Sequence, residues 1–356
     1  MRRLLVCLAI AACTRTPLPS RAVPAAPSAT PTLVNGAGST FVFPLLSKVF
    51  SDYVRVDPRV RFNYQSIGSG AGIRQITDRT VDFGASDAPL TDEQLAKAPD
   101  ILHLPIVLGA VAVAYNLPSK PALRLTPDLL AGLYLGEITR WNDPRIAAVN
   151  PGVSLPSLPV AVIHRADGSG TTAIFTDYLA KVSPTWAQKV RHGTAVRWPV
   201  GIGGKGNEGV AGQLMSLPGA VGYVELAYAV QNKLPVASLA NRAGEWIAPS
   251  VASTTAAATG AAASMPDDLR VSVTDPPGVG AYPIAGFTDI LVFRGQTDPV
   301  KGPALARFLW WEIHDGQREA EPLLYAPLPP AVVAKVAVKI RSITLAGKPI
   351  LVGQPE

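Results

Sequence analysis

Residues 160–182 read VAVIHRADGSGTTAIFTDYLAKV. Val160 to His164, just after Pro159, has strand character; Ile174, Phe175, Tyr178, Leu179 and Val182 then recur at helical spacing on one face. Between them lies a turn, Arg165 to Thr172, built from glycine and hydroxyl residues. Strand, turn and helix recur twice upstream. Thr32 to Asn35 leads through Gly36-Ala37-Gly38-Ser39-Thr40-Phe41 into a helix whose face is Phe41, Leu45, Leu46, Val49, Phe50 and Tyr53. Pro44 suits its first turn, where the missing N–H costs nothing. Arg61 to Ile67 leads through Gly68-Ser69-Gly70-Ala71-Gly72 into a short helix marked by Ile73, Ile76 and Thr77. This alternation predicts an α/β fold, in which ligands lie outside the carboxyl ends of the strands, where the three turns fall.

A helix N-terminus offers unpaired N–H groups and about half a positive charge, so it holds anions. Glycine lets the backbone approach a ligand, and hydroxyls add donors that aim themselves. Three such turns, with one arginine and one acid nearby, point to a caged oxyanion. Taken singly, each residue has a plainer reading. Thr40 or Ser69 suits a helix cap, Arg165 with Asp167 a surface ion pair, and Asp87 a cap on the turn Ala88 to Thr91.

Further along, Val81 to Asp87 reads as a strand ending in a loop with Asp87 at its tip. Leu104 to Tyr115, opened by Pro105, is a long valine-rich run expected to be a buried strand that crosses between lobes, and Ala281 to Phe293 is a second such run. Pro303 to His314 suggests a docked helix; Ser250 to Ser264 fits either a poor helix or a surface loop. No internal repeat is visible.

The length of 356 residues suits two domains, and 48% apolar content supplies real cores. The densest basic set, Arg55, Arg59 and Arg61, alternates with other residue types, which suits a strand edge and argues against nucleic acid as a partner. Met1 to Ala12 has the charged and apolar regions of an export signal, too short to span a bilayer. Ile10-Ala11-Ala12-Cys13 resembles a bacterial lipoprotein cleavage box, with Cys13 the lipidated first residue; ordinary cleavage after Ala11 is the alternative. Cleavage at the box discards Cys7, leaves no cysteine for disulfides and lowers the formal charge from +6 to +4. The Pro-, Ala-, Ser- and Thr-rich run 13–31 is expected to be a flexible tether. An exported, lipid-anchored body facing the periplasm or cell exterior follows from this reading.

Seven pieces in order, from about residue 32 to 345, resemble the periplasmic phosphate-binding proteins of the bacterial high-affinity phosphate ABC transporter. They are the Gly36 and Gln65-Ser66-Ile67-Gly68 turns, Thr80 to Leu90, Leu133 to Ile138, Arg165 to Thr171, Gly203-Gly204-Lys205-Gly206-Asn207 and Gly222-Tyr223-Val224-Glu225. The resemblance implies a two-lobed type II binding-protein fold with a cleft between lobes. Lobe 1 would comprise 32–107 and 284–356, and lobe 2 would comprise 108–283. It also implies a phosphate-binding set of Thr40, Phe41, Ser69, Asp87, Arg165, Ser169, Gly170 and Thr171, with Asp167 holding the fork of Arg165. The implied function is to bind inorganic phosphate and hand it to membrane permease subunits, as a monomer without cofactor, metal or catalytic residue.

Within that reading Asp87 is the selector. Phosphate keeps a proton at neutral pH and can donate it to a carboxylate, whereas sulfate cannot, a mismatch worth several kcal/mol in a dry cleft. Two departures stand out: His164 precedes Arg165, as a surface histidine or one that tunes the site, and Asp289 occupies a usually apolar position on the second crossing strand. Rival readings are a tethered phosphate sensor or adhesin, a phosphohydrolase using Ser169 or Thr40, and a dinucleotide enzyme. The last rests on Gly201-Ile202-Gly203-Gly204-Lys205-Gly206 after a strand-like Val196 to Val200, with Glu225 as ribose-binding acid.

Overall fold

The computed structural model describes residues 30–352. The expected signal segment, Cys13 and the tether up to residue 29 lie outside the described residues. One eight-stranded sheet organises the fold: β1 (Thr32–Gly38), β2 (Val60–Ser66), β3 (Phe83–Ser86), β4 (Ile101–Tyr115), β5 (Ala161–Arg165), β6 (Ile202–Gly204), β7 (Ala220–Glu225) and β8 (Ala285–Phe293). Its spatial order is β2-β1-β3-β8-β4-β7-β5-β6. Strands β1, β2 and β3 run parallel in one half, and β5, β6 and β7 run parallel in the other. Four helices reach the site: α1 (Phe43–Val56), α2 (Ser69–Thr77), α3 (Gly170–Val182) and α4 (Gly206–Ser216).

Strand β4 joins the two lobes. Its fifteen residues are all buried, as its apolar run requires of a strand covered on both faces. Ile101 to Ala110 lie antiparallel to β8, and Val111 to Tyr115 lie antiparallel to β7. The strand therefore changes partner between Ala110, opposite Ala285, and Val111, opposite Glu225.

Pro105 does not open β4, as its sequence suggests; the strand begins at Ile101 and Pro105 sits inside it, opposite Asp289. The β8–β4 register shifts between Thr288 and Asp289 at that point. Proline has no N–H for the ladder, so a central strand carries it where pairing is already interrupted. Residues 281–284 approach β8 as a loop, so that strand begins four residues later than its apolar run does. Val196 to Val200 is no strand either; the strand there is β6, inside the glycine motif.

Helix α1 buries Leu45, Leu46, Val49, Phe50 and Tyr53 as its periodicity predicts. The docked helix is Lys301–Glu312, whose Phe308 ring lies 4.4 Å from Phe62, 5.1 Å from Tyr53 and 5.3 Å from Phe50 between centroids. Each such buried ring stabilises by roughly 2–3 kcal/mol through area alone. Ser250 to Ser264 resolves as a helix, Val251–Ser264, started by a reciprocal Ser250–Ser253 capping box and seated on Thr254, Ala257 and Ala258. On the β2 edge, Arg55 pairs with Asp52, Arg59 forks onto Asp57 at 2.9 and 3.0 Å, and Arg61 donates to the Pro58 and Val60 carbonyls.

Candidate functional site

The three turns converge at the carboxyl ends of β1, β2 and β5, as the α/β pattern predicts. Ser69 is their joint. Its Oγ accepts from the Gly170 N–H at 3.1 Å and lies 3.4 Å from both the Asp87 Oδ2 and N–H. The Gly70 N–H donates to the Gly168 carbonyl at 3.0 Å, so the second and third turns touch through backbone as well. Contact this close needs glycine. A Cβ on Gly170 would stand 2.4 Å from Asp87 Oδ2, and one on Gly68, whose φ is +91°, would stand 2.4 Å from Asp167 Oδ2.

All nine residues implied by the resemblance meet here. Arg165 is 3% exposed; its Nε and Nη2 donate to Asp167 at 2.8 and 2.5 Å, and its Nη1 donates to Thr171 Oγ1 at 3.2 Å. Burial works against ionisation of Asp167, but Arg165 and the Gly206 N–H at 3.0 Å outweigh it and hold the carboxyl below its usual range. Thr171 Oγ1 also accepts from Asn207 Nδ2 at 3.3 Å. Thr40 Oγ1 accepts from Asn207 N and Nδ2 at 3.2 and 2.8 Å, and Ser169 Oγ accepts from the Thr172 N–H at 3.0 Å. A hydroxyl carries one proton and two lone pairs. Thr40, Thr171 and Ser169 thus spend lone pairs on neighbours and keep their protons for another acceptor. The Phe41 N–H donates to Ser39 Oγ at 3.0 Å, while its carbonyl accepts from Tyr325 OH at 2.6 Å.

The plainer readings are sorted by the same geometry. Ser169 does cap α3, but neither Thr40 nor Ser69 is a cap, since α1 and α2 start at Val42 and Gly68 without a side-chain bond. Asp87 caps nothing; Ser86 Oγ serves that turn by accepting from the Ala88 N–H. Instead Asp87 is 5% exposed and accepts from Ser39 Oγ at 2.6 and 2.7 Å and from Thr288 Oγ1 at 2.7 Å. Burial raises its carboxyl to about 6, against the pull of those donors and of Arg165.

Ser39, Thr288 and Asn207 are site residues that the sequence reading passed over. Ser39 and Asn207 stood inside motifs already singled out, and Thr288 adjoins the noted Asp289; nothing in the sequence told which hydroxyl would face Asp87. Asp289 lies beside the site on β8, 4% exposed, with Oδ1 lacking any hydrogen-bond partner. Burial, with the Asp87 charge adding to it, pushes its carboxyl well above the usual range. His164 stays outside the cage, with its ring stacked 4.8 Å from Trp198 and Nδ1 3.0 Å from the Arg165 carbonyl. Glu225 is buried and caps the Ala227 N–H at 2.7 Å, with Tyr325 OH at 3.3 Å. Together with the missing strand at 196–200, this removes the ribose-binding geometry from the dinucleotide reading. Among the described residues no three His, Cys, Asp or Glu side chains cluster as metal ligands.

Comparison with known proteins gives the family of the whole chain. The PBP superfamily domain matches residues 25–315. The chain is 45% identical over 307 residues to the phosphate-binding protein PstS of Xylella fastidiosa strain Temecula1, spanning 85% of this chain and 83% of that one. To the phosphate-binding protein PstS of Pasteurella multocida it is 42% identical over 305 residues, spanning 85% and 88%. The fold superposes on a high affinity periplasmic phosphate-binding protein, PfluDING, solved with phosphate, at a TM-score of 0.70 and 21% identity over 86% of this chain and 93% of that one. A putative phosphate ABC transporter substrate-binding protein from Clostridium perfringens gives 0.60 at 16% identity, over 84% of this chain and the whole of the other. On the strength of its sequence relatives, the chain belongs to the PstS family of phosphate-binding proteins within the PBP superfamily.

Proposed function

We propose that this protein captures one inorganic phosphate between its lobes and delivers it to the membrane permease of an ABC transporter for import. The observation that carries the reading is the convergence on Ser69. One hydroxyl ties the N–H of Gly170, from the third turn, to Asp87 and the second turn, so one ion in the cage contacts both lobes. The Thr40, Ser169 and Thr171 hydroxyls and Arg165 are the donors, joined by the Phe41 and Gly170 N–H groups when these exchange their Ser39 and Ser69 Oγ acceptors for the ion; Asp87 is the acceptor for the proton that phosphate keeps. In this reading Asp167 orients the guanidinium, which suits a tetrahedral oxyanion through charge and a fixed fork.

The lobes divide as 32–107 with 284–356 and as 108–283, a division supported by the partner change within β4 a few residues past 107. Ligands from both lobes make closure ligand-driven about those crossings. The names of the PstS relatives support a transport role. Ser169 supports a binding role over hydrolysis, since its partner is the Thr172 N–H and no histidine bonds to it. Export by the 1–12 signal and anchoring through lipidated Cys13 on the 13–31 tether complete the proposal, with the protein acting as a monomer at the membrane surface.

Isothermal titration calorimetry of anion-stripped protein, with phosphate and then sulfate, tests it. Tight one-to-one phosphate binding without a sulfate signal is the expected result. Silence with phosphate on folded protein overturns the reading.

A further inference from the structure

The cage itself has no net attraction for a distant anion. Arg165 is cancelled by Asp167, Asp87 is an acid, and hydrogen-bond donors act at contact range. A long-range field must come from elsewhere. Residues 189–205 contain Lys189, Arg191, Arg197 and Lys205 and no acid. All four are exposed, and none forms an ion pair or side-chain hydrogen bond among the described residues, unlike Arg55 and Arg59 on the opposite edge of the sheet.

This segment is fastened to the third turn at several points. The Ser169 N–H donates to the Thr194 carbonyl at 2.8 Å, and the Ala166 N–H donates to the Gly204 carbonyl at 3.0 Å. The Gly193 N–H donates to Thr176 Oγ1 at 3.2 Å, on α3. Trp198 stacks on His164, next to Arg165. Exposed acids next to it are Glu208, on α4, and Glu137, which follows the Gly136 that packs on Val200; they offset part of its charge.

We infer that the segment Lys189–Lys205 is an electrostatic collar that steers phosphate into the cleft, setting the rate of capture without touching the bound ion. The inference rests on the proposed phosphate site. Its physical basis is general: a concentrated field of one sign at a cleft raises association rates about 10- to 1,000-fold, and salt screens it over about 10 Å at 0.1 M. A dianion feels the field twice as strongly as a monoanion, so the collar also favours the more highly charged form.

Stopped-flow tryptophan fluorescence with inorganic phosphate, at low and high ionic strength, tests the collar. In the variant Lys189→Gln/Arg191→Gln/Arg197→Gln/Lys205→Gln, the association rate at low salt falls about tenfold, its salt dependence flattens, and the dissociation rate stays within about twofold. A control removing equal charge at Lys97, Lys120, Lys339 and Lys348, on other elements, has a smaller effect. The double variants Lys189→Gln/Arg191→Gln and Arg197→Gln/Lys205→Gln each give a part of the loss and stand in if the quadruple variant misfolds. Phosphate binding with unaltered association rate and salt slope overturns the collar alone. A dissociation rate that rises by the whole factor also overturns it, because the bases are then contacts. Absence of phosphate binding in the unaltered protein overturns the site on which the collar rests.

Discussion

Asp87, just past the end of β3, and Asp289, on the neighbouring β8, are both buried carboxyls, and they differ in what faces them. Asp87 receives Ser39 and Thr288 hydroxyls at 2.6 to 2.7 Å and has Arg165 within its field. Asp289 has an oxygen without a partner, and Asp87 is the charge it feels. Burial alone forces a carboxyl to keep its proton; donors let it ionise in place. Burial raises both carboxyls, and the hydroxyls and the Arg165 charge around Asp87 offset part of that rise where Asp289 has no such partners.

The largest way to break the contrast is Asp87→Asn. The amide replaces the charged acceptor for the phosphate proton by a neutral carbonyl and an N–H donor, and removes the repulsion toward sulfate, so discrimination between the two falls by about 4 kcal/mol, nearly thousandfold. Competition calorimetry measures it, and preserved sulfate rejection would show that selection lies elsewhere. Next in size is Asp289→Leu. A carboxyl raised on folding contributes stability below the unfolded value near 4, and loses it as pH rises through the folded value. Asp289 is pushed well above that range, so its cost grows from pH 4 through neutrality. The variant is expected to be more stable by about 2 kcal/mol at pH 8 and to converge with the unaltered protein near pH 4 in urea melts. Parallel curves at all pH values would place no buried acid there.

A smaller effect follows from pH on the binding site. As pH falls through about 6, Asp87 gains a proton and becomes a donor. Sulfate affinity therefore rises about tenfold between pH 7 and 5, as the protonated fraction goes from about a tenth to most of the sites. A flat sulfate profile would put the proton elsewhere. The smallest expected change sharpens the contrast: Thr288→Val removes one donor worth about 1 kcal/mol, so that same rise in sulfate affinity moves up by roughly half to one pH unit. Ser39→Ala does likewise. An unshifted profile in both would mean that the hydroxyls hold the backbone and not the charge.

Local patterns carried most of what could be read before the structure. The three turns announce themselves because strand periodicity, glycine and helical periodicity follow one another in short windows. Arg165 and Asp167 lie two residues apart, so their pairing needs no tertiary knowledge. Thr288 is different, since it reaches Asp87 across a strand pairing between residues 201 positions apart. Asn207, which orients Thr40 from 167 positions away, is equally invisible to a window. The misreading of Pro105 has a like cause: a proline looks like a strand boundary unless the bulge opposite it, on β8, is known.

The insertion of β8 between β3 and β4 has a consequence for how the chain is made. Strand β3 has no pairing with β4 of its own; both wait for residues 285–293. A nascent chain that has emerged as far as Tyr115 exposes a long apolar strand and the unpaired edge of β3, with the segment that covers them still unsynthesised. Pairings this distant in sequence form slowly and leave sticky intermediates. Emergence from the ribosome and completion of the first lobe are therefore separated in time. For the export proposed above, that delay keeps the chain in a threadable form until its last fifth arrives.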